Sequence, residues 1–208
     1  MKITFSRVYD LHESIAASGL PMVARYNEGV FGAIVSDMDH GFHISSMDRA
    51  FRLASAQDGS GHKNFLSGIL VSFNVTATQV WWMQFERYHF AQIVSSMSKM
   101  HRLKEMIETG CLEFHDKVFE NGEELLNSLA LYIDKNDVVD EEELVYNCPM
   151  GLELTARVTT NYLQLRTIYV QRRNHKLQEW CDFCAWIEGL PLADKLITVG
   201  CVEERSNA

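Results

Sequence analysis

From Ile69 to Val75 the chain alternates with period two. Ile69, Val71, Phe73 and Val75 fall on one side, and Leu70, Ser72 and Asn74 on the other. Successive side chains of a strand leave on opposite faces, so this pattern predicts a β-strand with one buried face. Thr76, Ala77 and Thr78 break the alternation, and Thr78 is placed to N-cap a helix starting at Gln79. The spacing then predicts one long helix from Gln79 to about Leu103. At roughly 100° per residue, Phe85, Phe90, Ile93, Val94, Met97 and Met100 share one side. Gln84, Arg87, Tyr88, Gln92, Ser95, Ser98, Lys99 and Arg102 share the other. That second face holds amides, hydroxyls and cations, and no acid. It suits an anionic ligand rich in hydrogen-bond acceptors. A polar face turned to water or to a neighbouring subunit has the same pattern.

The 208 residues are 47% hydrophobic, enough to bury a core as a single domain. A formal charge of −9 argues against a nucleic-acid polymer as partner and leaves room for a local cationic pocket holding a mononucleotide. No apolar run approaches the length of a membrane span and no signal peptide is recognisable, so a soluble, cytoplasmic protein is expected, in the host cytoplasm if the protein is viral. Five cysteines, an odd number, fit a reducing compartment.

Taken in order, Lys2 to Phe5 reads as a first strand. Leu20-Pro21 opens a short helix through Tyr26, and residues 28 to 45 read as loop and weak strand. Asp37, Asp39, His40 and His43 lie close in that loop, but their spacing matches no metal-binding motif, and a surface loop explains them. Ser45 or Ser46 can cap a helix from Met47 to about Ala56. Asp58-Gly-Ser-Gly is a turn. Trp81 and Trp82 belong to the core or to a subunit contact. A further helix is expected from Lys117 to Ile133. Asp140 is placed to cap a short helix whose Glu141 to Glu143 favour the positive end of its dipole. Cys181-Asp-Phe-Cys184 is a CxxC that stands alone, so buried structural thiols are expected there.

Gly61-His62, the strand, Gln84 and Arg87-Tyr88-His89 resemble the heart of the flavin-dependent thymidylate synthases, the ThyX family. In that family a G-H pair leads a strand, followed by Q-x-x-R-H-R and the signature R-H-R-x-x-S-x-x-x-x-S-x-R. The spacing from Gly61 to Lys99 fits without a gap. Arg87 matches the first arginine. Tyr88 stands for the histidine, His89 for the second arginine, Gln92 and Met97 for the two serines, and Lys99 for the last arginine. Thr155 to Ile187 resembles the family's C-terminal helix. Asn161, Arg172 and Gln178 keep its spacing, with Lys176 where a histidine stands. On one helix, Asn161, Arg172, His175, Lys176 and Glu179 would share about a third of the circumference. Leu163 and Val145 replace two family arginines, one used on flavin and one on the nucleotide.

The resemblance implies an α+β fold with a small antiparallel sheet packed with long helices, and a homotetramer with sites at subunit junctions. It implies C5 methylation of dUMP to dTMP, with FAD, NADPH and methylenetetrahydrofolate. The substrate residues are expected at Gln84, Arg87, Lys99 and Arg172, with Arg172 also catalytic, and at Ser95, a nearby hydroxyl out of register with the two family serines. The cofactor residues are His62, Tyr88, His89 and Asn161. A flavin-free pyrimidine-nucleotide C5 hydroxymethyltransferase and a non-catalytic binding relative are the two alternatives.

Overall fold

The computed structural model describes residues 1–40, 44–118, 122–135 and 141–201. One antiparallel sheet has the order β1-β2-β4-β3, with β1 Lys2–Tyr9, β2 Leu70–Thr78, β3 Gln92–Ser96 and β4 Glu153–Asn161. The helices are α1 Leu11–Ala17, α2 Glu28–Asp39, α3 Ile44–Ala54, α4 Gln79–Phe85, α5 Lys99–Glu108, α6 Gly122–Lys135, α7 Glu141–Tyr146, α8 Tyr162–Arg172, α9 Gln178–Glu188 and α10 Ala193–Leu196. This is the α+β class, with a small antiparallel sheet and many helices.

The period-two reading of β2 holds. Ile69, Val71, Phe73 and Val75 are all fully buried. The polar side is used within the sheet. Ser72 Oγ meets Thr159 Oγ1 at 2.9 Å, Arg157 Nη1 donates to Asn74 Oδ1 at 3.2 Å, and Thr76 Oγ1 meets Thr155 Oγ1 at 2.7 Å. Two steps forward along β2 are two steps back along β4, the register of an antiparallel pair. The strand runs on through Thr76 to Thr78, and Thr78 Oγ1 accepts from the Trp81 N–H at 3.3 Å, capping α4 as expected.

The predicted helix from Gln79 to Leu103 is instead three elements: α4, β3 and α5. Trp81, Trp82 and Phe85 bury together on α4, with Trp81 and Phe85 stacked at 4.6 Å. The Tyr88 N–H then closes a turn on the Phe85 carbonyl at 3.0 Å. Beyond it, the β-branched pair Ile93-Val94 enters a strand whose end is pinned by Met97 N–H to Thr155 O at 3.0 Å. Pairing with β4 overrides a helical periodicity that was real but local. Phe90 and Val94, placed by that periodicity on a buried face, are 72% and 61% exposed.

The second long helix is also divided. Asn161 ends β4 and caps α8, its Oδ1 accepting from the Gln164 N–H at 2.9 Å. Arg172 ends α8, His175 and Lys176 lie in the following turn, and Glu179 is buried on α9. These residues therefore share no single helix face. Residues 28–39, expected as loop, form α2, because Asn27 Oδ1 caps the Val30 N–H at 3.1 Å and Glu28 complements the dipole. Leu20–Met22 is a 3-10 turn only. The first strand, the helix after Ser46 and the helix after Lys117 are present with shifted ends, as β1, α3 and α6. Asp140 lies outside the described residues; Glu141 to Glu143 occupy the first turn of α7.

The chain divides into two compact units. Unit 1 takes Met1–Thr4, Asn74–His89 and Ile93–Val158, and unit 2 takes Phe5–Phe73, Phe90–Gln92 and the chain from Thr159 onward. In unit 1, Leu103, Met106 and Ile107 of α5 pack with Leu129, Leu144 and Leu152. Val145 packs against that same cluster. In unit 2, Phe73 meets Phe183 at 5.8 Å and Trp186 at 4.5 Å, and Trp180, Leu165 and Ile187 are fully buried.

Candidate functional site

In unit 1 the candidate residues lie on α4, in the turn after it, on β3 and at the start of α5. Burial of Trp81, Trp82 and Phe85 fixes the helix, and Trp82 Nε1 donates to Leu154 O at 3.0 Å. The next turn sends Tyr88 inward, only 8% exposed, with its ring 6.4 Å from Phe85. Arg87 and His89, on either side of it, are exposed. Gln84 is half-buried on α4, and Ser95 is exposed on β3. Lys99 opens α5, and its ammonium donates to Gln79 Oε1, while Gln79 Nε2 donates to Pro149 O at 3.0 Å. Lys99, Glu86, Trp82 and Met97 line a cavity of about 200 Å³. Of these candidates two are cations, Arg87 exposed and Lys99 half-buried in a cavity wall.

In unit 2 the Arg172 guanidinium lies 4.8 Å over the buried Trp180 ring, a cation–π contact that orients its planar fork. His175 follows, and its Nδ1 accepts from the Leu177 N–H at 3.0 Å. Burial first, and then the Arg172 charge, hold the His175 imidazole below its ordinary pKa. His62 is exposed beside a cavity of about 930 Å³, whose wall also carries Arg49, Arg52, Phe65 and Met22. Two guanidiniums beside apolar and aromatic carbon suit an anionic ligand with a flat ring.

Arg87 belongs to unit 1 and Arg172 to unit 2. Of the four residues expected to hold a cofactor, Tyr88 and Asn161 are engaged by the fold itself, one in the core and one as a helix cap; His62 and His89 are exposed. The CxxC lies on α9, with Cys181 half-buried and Cys184 buried, both as free thiols. Burial, helped by the neighbouring Cys181 and Glu188, pushes Cys184 up to about 12, which fits a structural thiol. His43 of the histidine and aspartate group lies outside the described residues, and Asp39 is bonded to His12 at 2.5 Å. No group of three or more metal-ligating side chains occurs among the described residues, and no helix among them is long and apolar enough to cross a membrane.

No protein-family model and no curated protein matches the sequence. Solved structures do match. A crystal structure of flavin-dependent thymidylate synthase ThyX from Helicobacter pylori, complexed with FAD and dUMP, aligns over 98% of this chain and 100% of its own, with TM-score 0.66 and 17% identity. A second Helicobacter pylori ThyX structure with FAD and dUMP aligns over the same shares, with TM-score 0.64 and 16% identity. The chain has a ThyX-like fold. At this identity the likeness concerns the fold alone.

Three further cations line cavities of unit 2 and match no motif position. Arg49 lies on α3 and lines the cavity of about 930 Å³. Lys63 and Arg166 are each 6% exposed, and both line a cavity of about 490 Å³ together with Leu163. A signal for Arg166 was available. It lies between Tyr162 and Tyr169 at helical spacing, so a cation occupies the apolar face of α8.

Proposed function

We propose that this chain is a ThyX-like transferase that binds a deoxypyrimidine monophosphate and FAD and methylates uracil at C5. The single supporting observation is the match over essentially its full length to ThyX structures that hold FAD and dUMP. In this reading Arg87 and Lys99 are the phosphate cations, and Ser95 adds a hydroxyl. Gln84 and Arg172 donate to the uracil carbonyls, and Arg172 polarises the ring as charge develops on it. A charge-assisted contact of this kind contributes roughly 1.5–3 kcal/mol.

In this reading His62, Arg87 and His89 are the donors offered to the anionic part of FAD. His62 lies on the wall of the cavity that also carries Arg49 and Arg52, and Arg87 and His89 are exposed. Bound and reduced by NADPH, FAD would supply the hydride that turns a methylene received from methylenetetrahydrofolate into a methyl group. The protein's share is to bind, orient and keep out water. Assembly as a homotetramer belongs to the same reading. It is supported by large apolar side chains at the surface, among them Met22, Phe5, Phe90 and Ile44, at 86%, 77%, 72% and 69% exposure.

A second reading, a flavin-free pyrimidine-nucleotide C5 hydroxymethyltransferase, is favoured by a specific observation. Tyr88 is buried, Asn161 is spent as a cap, and Leu163 is apolar, so three family flavin positions offer little to a flavin. The absorption spectrum of the purified protein, followed by calorimetric titration with dUMP, separates the two. A flavin spectrum with dUMP binding supports the first reading. A colourless protein that takes up no FAD but binds dUMP supports the second. Failure to bind either ligand rejects both and leaves a non-catalytic relative.

A further inference from the structure

The cavity of about 490 Å³ in unit 2 contains more positive charge than its own residues balance. Lys63 and Arg166 have side chains only 7% exposed, and both reach one carboxylate, Asp58. The Lys63 ammonium donates to Asp58 Oδ1, and Arg166 Nε donates to the same oxygen at 3.3 Å. Arg166 Nη1 is held by the carbonyls of Ile197 and Val199 at 2.7 and 2.8 Å, which places the guanidinium without neutralising it. Asp58 is the one carboxylate among the described residues of this wall, and its side chain is 68% exposed.

Two buried cations sharing one solvent-facing carboxylate leave a surplus positive charge in a region of low dielectric. A phosphoryl group presents more acceptor oxygens and more charge than one carboxylate does. Asp58 sits on a turn formed by Gly59 and Gly61, at φ +83° and +77°, a backbone that glycine adopts without strain. Ser60, Asn64 and Thr167 add neutral donors to the wall, and Leu163 and Val170 add an apolar side.

We propose that this cavity is a phosphoryl-binding site for a nucleotide, with Lys63 and Arg166 as its cations. The Asp58 carboxylate holds the place that phosphoryl oxygens take. Asp58 therefore competes with the ligand. The site rests on this geometry and does not require the chain to be a transferase.

The competition predicts opposite effects from neighbouring substitutions, read by titration calorimetry of the full chain with pyrophosphate, AMP and FAD. The wild type binds at least one of the three. Asp58→Asn tightens that binding about fivefold or more by removing the rival charge, and Lys63→Gln weakens it about tenfold or more. Binding of pyrophosphate alone assigns the site to phosphoryl chemistry. Tighter binding of AMP or FAD adds the Leu163 and Val170 wall as a contact for the rest of the nucleotide. The proposal fails if none of the three binds to the wild type or to Asp58→Asn. It fails equally if Asp58→Asn leaves binding unchanged or weaker, or if a folded Lys63→Gln binds as the wild type does. Because Asp58 is mostly exposed, Asp58→Asn decides the matter even where Lys63→Gln does not fold.

Discussion

Arg172 shows how much one side chain's role depends on its neighbours. Its guanidinium is held over Trp180, so its five donors face a restricted set of directions, and its charge bears on His175. Arg172→Ala is expected to weaken dUMP binding about 10- to 100-fold, the loss of one charge-assisted contact. It also raises the His175 pKa part of the way back, since burial, the larger cause of the depression, remains. Calorimetry reads the first effect and an NMR pH titration of the imidazole reads the second. A raised His175 pKa with unchanged dUMP affinity would show that Arg172 is structural and would remove it from the proposed site. The sequence marked Arg172 by its spacing. It had no means of showing that Trp180, eight residues on, would lie beneath it.

Among the elements, strand β2 and the Thr78 cap were legible because their signals are local: alternation, and a hydroxyl ahead of an apolar helix. The stretch from Gln79 to Leu103 was not, because a short helix followed by a turn and a short strand can imitate helical periodicity. What separated them was pairing with β4, some sixty residues further along the chain. Asn161 makes the same point from the other side. It fits the family's spacing for a cofactor residue, yet its Oδ1 is the N-cap of α8. Asn161→Ala should therefore lower stability by about 0.5–2 kcal/mol, and Asn161→Asp, which retains the acceptor, should keep most of it. Chemical denaturation measures both. If Asn161→Asp keeps stability but loses FAD, the residue serves the cofactor through its amide N–H as well.

For the whole molecule, the charge network around Asp58 ties stability to pH. The hydrogen bond from Lys63, aided by the Lys63 and Arg166 charges, holds the Asp58 carboxyl below the usual carboxylate range despite some opposing burial. Its pKa is lower folded than unfolded, so the unfolded chain binds the proton more readily. The stabilisation is present in full above about pH 4, the ordinary aspartate value, and is lost as pH falls through the folded value. Thermal melts from pH 6 downward should show the wild type losing stability over this range faster than Asp58→Asn; parallel curves would show that the network contributes nothing. What the sequence determined by itself were properties set within a few residues: the buried face of β2, the cap at Thr78, and the acidic first turn of α7. The tertiary structure alone decided that Gln92–Ser96 leaves the helical pattern to pair with β4 and that Arg166 reaches the Asp58 carboxylate. Those outcomes depend on contacts between residues tens to more than a hundred positions apart, and such contacts leave no periodic trace along the chain.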